Sequence, residues 1–338
     1  MHHVLVVGAG TMGSVHARSF ARMENVKLAG IVDIRANIVG PLAESLQTQA
    51  FASYEEAMAA LERVDIVDIC LPTDLHKTYV LKAAAAGKHV ICEKPLAGNL
   101  ADAQEMIDFC RERNVKLFVG HVLRFFPEYV QAKRLVDSGA IGEVAMVNTF
   151  RGGIFPTAWK DWYADVKISG GLILDMIIHD FDFLRWCFGE VERVYAKSMI
   201  GRTFARMEYA LVSLRFANGV IAHIEGSWAH QGFSMKFELA GKKGVIDYDS
   251  RAASPVVSTL RKQEAGQGGV AVPESPLRES PYFLELQHFL AAIERETEPL
   301  VTPEDAYKAM EIALAALKSI ETGKPVSLAH SAGKGGDC

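Results

Sequence analysis

Lys94 stands where an amine can act on a bound ligand. It follows a short apolar run, Val90-Ile91-Cys92, in the string Glu93-Lys94-Pro95. That run reads as the fifth strand of a nucleotide-binding sheet, and in open α/β sheets ligands gather at the carboxyl ends of the strands. Pro95 keeps Lys94 out of a helix and biases it towards an extended backbone. A primary amine held there can hydrogen-bond a substrate oxygen and stabilise charge developing on it. Taken alone, a lysine is most often a solvated surface residue. Two other groups of residues change its meaning. Asp175 and His179 are four apart in a stretch that reads as one helix, so their side chains share a face. Imidazole titrates near neutral pH and can take a hydroxyl proton. The aspartate can orient the ring and stabilise its cation. By itself such a pair is more often a surface ion pair.

The second group is Gly8-Ala9-Gly10-Thr11-Met12-Gly13, a G-x-G-x-x-G string between an expected strand and an expected helix. Gly8 permits a tight turn, Gly10 lets backbone approach a pyrophosphate, and Gly13 allows close helix–strand packing. The helix N-terminus then offers free N–H groups to phosphates. Asp33 ends the second expected strand, about twenty residues past Gly13, where the ribose-binding acid belongs. A carboxylate there accepts from the ribose 2′-OH and repels a 2′-phosphate, which favours NAD over NADP. Arg35 weighs the other way, since a nearby arginine can serve a 2′-phosphate.

These residues need a scaffold, and the pattern supplies one. Expected strands at Val4–Val7, Lys27–Val32, near Phe51, Ile66–Cys70, His89–Cys92 and Lys116–Val119 alternate with helical stretches at 12–22, 38–47, 54–62, 74–86 and 100–113. Nearly all-apolar strands alternating with helices predict an α/β domain, a parallel sheet covered on both faces, over residues 1–121. Asn99 supplies an N-cap and Gly87 suits a C′ position. Residues 122–338 change character. A helix near 127–138, a strand at 144–150 and a long helix at 170–187 precede strands of period two. Asn218-Gly219 and Gly241-Lys242-Lys243-Gly244 read as hairpin turns. This predicts an α+β domain with a largely antiparallel sheet. Residues 250–281, with four prolines and a Gly-rich patch, read mostly as loop. Thr302-Pro303-Glu304-Asp305 reads as a helix start.

Composition excludes several classes. The chain has 338 residues, 49% hydrophobic and 23% charged, with a net charge of −5. That leaves no electrostatic footprint for nucleic acid or an anionic membrane. No apolar run approaches the ~20 residues of a bilayer span, and Met1-His2-His3 runs straight into a strand, without a signal peptide. Five cysteines (Cys70, Cys92, Cys110, Cys187 and Cys338) lack CxxC spacing. They read as reduced thiols of a cytoplasmic protein, and no metal site is expected.

With Gly8–Gly13, Asp33, Glu93-Lys94-Pro95 and Ser169-Gly170-Gly171-Leu172-Ile173-Leu174-Asp175-x-x-x-His179-Asp180 in this order, the chain resembles the Gfo/Idh/MocA oxidoreductases from Val4 to about Val326. Ile178-His179-Asp180-Phe181-Asp182 and Arg185-Trp186 are most similar to the inositol dehydrogenase-like branch. The resemblance implies an N-terminal Rossmann domain and a C-terminal open mixed sheet that commonly mediates dimer or tetramer contacts. It implies an NAD-dependent dehydrogenase oxidising a secondary hydroxyl of a cyclitol or sugar. His179 would be the base, Asp175 its orienter and Lys94 the donor to the developing alkoxide. Pro72, Thr73 and His76 resemble the family's loop beside the nicotinamide, although His76 equally fits a solvent-facing residue. His121 and Arg124 fall where the family lines its cleft; a salt bridge tying the two domains together fits Arg124 as well. Trp162 fits a pocket wall or an aromatic core plug. His16 matches the family pattern and is assigned to packing. Two alternatives stay open: an NAD-dependent glycoside hydrolase with a transient redox cycle, separated by the absence of bulk NADH formation, and a non-catalytic NAD-binding sugar sensor, which has no chemical need for Lys94, Asp175 and His179 together.

Overall fold

The computed structural model describes residues 1–200, 208–252 and 279–328; the Gly-rich patch, most of the expected 250–281 loop and Cys338 lie outside the described residues. The elements in chain order are β1 (His2–Val7), α1 (Thr11–Phe20), β2 (Val26–Val32), α2 (Ala36–Ser45), β3 (Gln49–Phe51), α3 (Tyr54–Ala60), β4 (Ile66–Ile69), α4 (Thr73–Ala85), β5 (His89–Cys92), α5 (Leu100–Glu112) and β6 (Leu117–Val119). There follow α6 (Pro127–Asp137), β7 (Val144–Ile154), α7 (Val166–Ser169), α8 (Gly171–Asp175), α9 (Ile178–Phe188), β8 (Val191–Ile200), β9 (Glu208–Phe216), β10 (Ile221–Ser227), β11 (Ala229–Gly241), β12 (Gly244–Asp249), α10 (Pro281–Glu294), α11 (Pro303–Thr322) and β13 (Val326–Ser327).

The chain forms two compact units. The first draws on Met1–Pro127, Pro156–Gly170 and Gln267–Met310, the second on Glu128–Phe155, Gly171–Gly266 and Glu311–Cys338. In the first unit a six-stranded sheet runs β3-β2-β1-β4-β5-β6, every pair parallel. This order reverses direction between β1 and β4, the switch point at which such sheets bind dinucleotides. Its strands are buried along almost their whole length, which explains their continuous apolar character. The core of this unit also recruits α10: Phe283, Leu286, Phe289 and Leu290 join Val4, Val6, Ile31 and Phe118. Phe118 and Phe289 stack with centroids 4.8 Å apart. Asn99 caps α5 by accepting from Asp102 N–H (2.9 Å), and Gly87 leaves α4 at φ +70°.

In the second unit a seven-stranded sheet runs β12-β11-β7-β10-β9-β8-β13. The β7–β10 pair is parallel and the rest are antiparallel. Both hairpin signals are realised: Asn218-Gly219 lies between β9 and β10, with Gly219 at φ +92°, and Lys242-Lys243 joins the Gly241↔Gly244 pair. Strand β9 alternates strictly, with Ala210, Val212, Leu214 and Phe216 buried and Tyr209, Leu211 and Arg215 exposed. On β11, buried Phe237 packs with Tyr129 and Phe183, which meet edge to face at 4.8 Å.

The expected long helix at 170–187 is two helices. Leu172 O accepts from both Met176 N–H (3.0 Å) and Ile177 N–H (3.1 Å), and Ile177 O from both Asp180 and Phe181 N–H. The turn between them widens and α8 ends at Asp175. Leu172, Ile173, Leu174, Ile177 and Ile178 are each at most 3% exposed. No single face of a straight helix holds all five. The break lets them all be buried, and Gly226 makes room for Ile177 and Leu172 where a Cβ would clash.

Candidate active site

At the carboxyl end of β1 the chain turns at Gly8, φ +104°. A Cβ on Gly8 would overlap the Cys70 carbonyl oxygen, and one on Gly13 the Gly8 carbonyl oxygen, whereas one on Gly10 would meet nothing within 4 Å. The loop is therefore closed against the protein at Gly8 and Gly13 and open at Gly10. Thr11, Met12 and Gly13 open α1, and Ser14 N–H is the first to bond back, to Gly10 O at 2.9 Å. The earlier amides have no acceptor within the helix, so shape and polarity fit a pyrophosphate. Asp33, 8% exposed, follows β2. Its Oδ2 accepts from Ala9 N–H at 2.9 Å. Arg35 grips it through Nε (2.8 Å), Nη2 (2.6 Å) and its own backbone N–H (2.9 Å). Burial opposes ionisation of Asp33, but Arg35 and the two amides outweigh it and hold its pKa below the ordinary value. Arg35 is thus turned onto the carboxylate.

Lys94 leaves the end of β5, partly exposed, with buried Glu93 before it and a cis peptide to Pro95. Pro72 and Thr73 form the turn into α4, Thr73 4% exposed. His76 does not face solvent: it is 1% exposed. Its Nδ1 lies 2.9 Å from Pro95 O and its Nε2 2.8 Å from Leu71 O, tying the turn after β4 to the turn after β5. Burial, the largest influence, pulls its pKa down, while the carbonyls push the other way.

His121 is fully buried ahead of a 3₁₀ turn, Val122–Phe125. Arg124, 3% exposed, donates through Nη1 to Leu300 O (2.7 Å) and Asp305 Oδ2 (3.1 Å). Asp305 Oδ2 also accepts Thr302 N–H at the start of α11. Arg124 does form a salt bridge, but inside the first unit rather than one tying the two domains together. Trp162, half-buried, stacks on Tyr163 at 3.9 Å and 27°.

In the second unit Asp175, 7% exposed, ends α8 and half-buried His179 lies in the first turn of α9. The shared-helix argument for this pair does not hold, because the break falls between them. Glu208, which sequence spacing did not single out, opens β9 at 7% exposure. Its Oε2 accepts Leu172 N–H at the start of α8, 2.9 Å. Burial pushes its carboxyl up; the Leu172 amide pulls it down and the charge of Asp175 pushes it up again. One residue past His179, Asp180 accepts from Arg151 Nε at 2.7 Å, both side chains buried. The sequence signal for Arg151 and Asp180 is only that charged residues sit in otherwise apolar elements.

Among the described residues, metal-ligand chemistry comes together in His16, Asp68 and Cys70, whose donor atoms lie within 4.8 Å of one another. The expectation of no such cluster came from chain spacing, and the fold closes that distance. The atoms bond to each other: His16 Nδ1 lies 3.0 Å from Asp68 Oδ2 and 3.4 Å from Cys70 Sγ. Burial and Asp68 push the thiol far up, which keeps it a thiol rather than a ligating thiolate.

The chain matches the model of an oxidoreductase family with an NAD-binding Rossmann fold over residues 2–121, and the GFO/IDH/MocA C-terminal domain over residues 129–247. It is 33% identical to myo-inositol 2-dehydrogenase of Thermotoga maritima, over 96% of this chain and 97% of that protein. It is 32% identical to the uncharacterized oxidoreductase YrbE of Bacillus subtilis, over 96% of each. The crystal structure of GenD2 from gentamicin A biosynthesis in complex with NAD superposes with a TM-score of 0.86 at 27% identity, covering 97% of both chains. Matched through both of its domains, this NAD-binding oxidoreductase belongs to the GFO/IDH/MocA family.

Proposed function

We propose that the protein oxidises a secondary hydroxyl of a cyclitol or sugar, with Lys94, Asp175 and His179 acting on one substrate. Bound NAD supplies the hydride acceptor. Gly8–Gly13 hold its pyrophosphate and Asp33 its ribose, with the turn of Pro72 and Thr73 beside it. His179 takes the hydroxyl proton, Asp175 orients the ring and stabilises its cation, and Lys94 donates to the substrate oxygen as charge develops there. The reading is carried by the place of Lys94, a partly exposed amine at the carboxyl end of β5 in a sheet that binds NAD. Similarity to a myo-inositol 2-dehydrogenase through both units supports a cyclitol as the first substrate to try. A screen of cyclitols and aldoses with NAD, followed by absorbance of the reduced cofactor, tests it. Substrate-dependent NADH formation is expected. Cleavage of a glycoside without net NADH would replace this reading with the hydrolytic one.

Assembly through the open sheet belongs to the same proposal. Met146, Met199, Tyr209, Leu211 and Ile221, on four strands, are each 37–66% exposed. Met146 pairs with Ile221 and Met199 with Tyr209 across the strands, so they gather on one face.

A further inference from the structure

Beneath the glycine loop lies a charged cluster that the reaction above does not use. His16 of α1 is 1% exposed, Asp68 of β4 0%, and Glu93 after β5 8%. His16 Nδ1 sits 3.1 and 3.0 Å from the two Asp68 oxygens, and its Nε2 3.3 Å from Glu93 Oε1. Nδ1 hydrogen-bonds Asp68, whereas Nε2 faces Glu93 as an ion-pair contact without hydrogen-bond geometry; carboxylates on both sides of the ring favour the imidazolium. Burial opposes that charge, yet Cys70 and Asp68 together raise the His16 pKa well above its ordinary value. Cys70 remains a thiol, so at neutral pH the charge facing the ring comes from the carboxylates. Glu93 is held low in turn: burial pushes it up, and His16 and Lys94 outweigh this. Its second oxygen, Oε2, accepts the backbone N–H of Lys94 at 3.0 Å. Gly120 closes the far side, where a Cβ would stand 3.2 Å from Glu93 Oε2.

We propose that His16 and Glu93 are positioning residues for Lys94: the ring, anchored on Asp68, fixes the Glu93 carboxylate, which fixes the backbone of Lys94. His16 lies three residues past Gly13 on the helix that receives the dinucleotide. One buried chain of charge therefore sets the catalytic amine relative to the cofactor helix. Such alignment matters because a displacement of ~1 Å at a reacting group can cost about 10²-fold in rate. The proposal rests on Lys94 acting in alcohol oxidation as described above.

The test is a double-mutant cycle read by steady-state kinetics, with NAD affinity and hydrogen exchange measured in parallel. Glu93→Gln keeps the shape and an acceptor but removes the charge; His16→Leu removes the donor. Each is expected to lower kcat about 10–100-fold, with NAD affinity within about twofold because Gly8–Gly13 and Asp33 are intact. In a Lys94→Ala background neither substitution should lower the residual rate further, since both act through Lys94. Full additivity in that background, or unchanged kcat in the single variants, overturns the proposal. If His16→Leu fails to fold, near-isosteric Glu93→Gln carries the cycle. Hydrogen exchange of a peptide spanning residues 93–96 separates this idea from the assigned reaction. Faster exchange in Glu93→Gln is expected even if no polyol proves to be a substrate, and unchanged exchange defeats the positioning role by itself.

Discussion

At Asp33 two demands meet. In the proposed site its carboxylate accepts from a ribose hydroxyl, and Arg35 and the Ala9 amide already contact it. Under that proposal cofactor entry would exchange guanidinium contacts for ribose contacts on the same oxygens. Asp33→Ser removes the acceptor and the negative charge together and frees Arg35 for a 2′-phosphate. Efficiency with NAD should fall and efficiency with NADP should rise, read as kcat/KM for each cofactor. A wild-type enzyme that uses NADP at least as well as NAD would contradict the assignment. At His179 the expectation concerns the proton. His179→Ala should cut kcat by roughly 10²–10⁴-fold, the usual worth of a placed base, and leave NAD affinity unchanged. Near-wild-type turnover at neutral pH would remove His179 from the mechanism.

The break between α8 and α9 shifts the burden of placing His179 to other contacts. Arg151 on β7 clasps Asp180, the residue after His179, in a buried bidentate pair. Arg151→Met leaves the Asp180 charge buried without it, which should cost roughly 3–5 kcal/mol in chemical denaturation. A loss under about 1 kcal/mol would mean the pair is incidental. Glu208 holds the other end, accepting Leu172 N–H at the start of α8. Its folded pKa is raised above the unfolded value. Its contribution to stability is therefore full below the ordinary carboxylate pKa and lost as pH rises through the raised one. Glu208→Gln retains an acceptor for Leu172 and does not ionise. Its Tm relative to wild type should climb from acid to neutral pH; a difference independent of pH would deny the burial effect.

Across the whole molecule, the seven-stranded sheet buries one face and leaves apolar residues on the other. Leu211 and Ile221 are 40% and 44% exposed on neighbouring strands. Leu211→Glu combined with Ile221→Lys should convert an oligomer to monomers in light scattering while β9 and β10 keep their pairing. Wild-type protein that is monomeric at micromolar concentration would end the assembly proposal. The described residues contain no helix long and apolar enough to cross a membrane.

Local chemistry made much of this protein readable from its sequence. The period-two pattern of β9, the Asn218-Gly219 turn, the Asn99 cap and the apolar runs of the buried strands are patterns within a few residues, so sequence alone determined them. The glycine loop and Asp33 were legible as a motif of fixed spacing, although the group Gly8 must avoid, the Cys70 carbonyl, lies far along the chain. Tertiary structure decided what depends on distant partners. A straight helix from 170 to 187 satisfies helical hydrogen bonding, but burying Leu172, Leu174 and Ile177 together against Gly226 requires the break. His76 and Arg124 carry polar groups that suit many partners; which carbonyls they meet, those of Leu71, Pro95 and Leu300, only the fold decides. Helix α10 enters the Rossmann core because Phe118 needs a partner such as Phe289, far away in the chain. His16, Asp68 and Glu93 are scattered in sequence and become one buried charge cluster only when α1, β4 and β5 pack side by side. Low-dielectric burial then makes each charge depend on the others, and no spacing rule encodes that dependence.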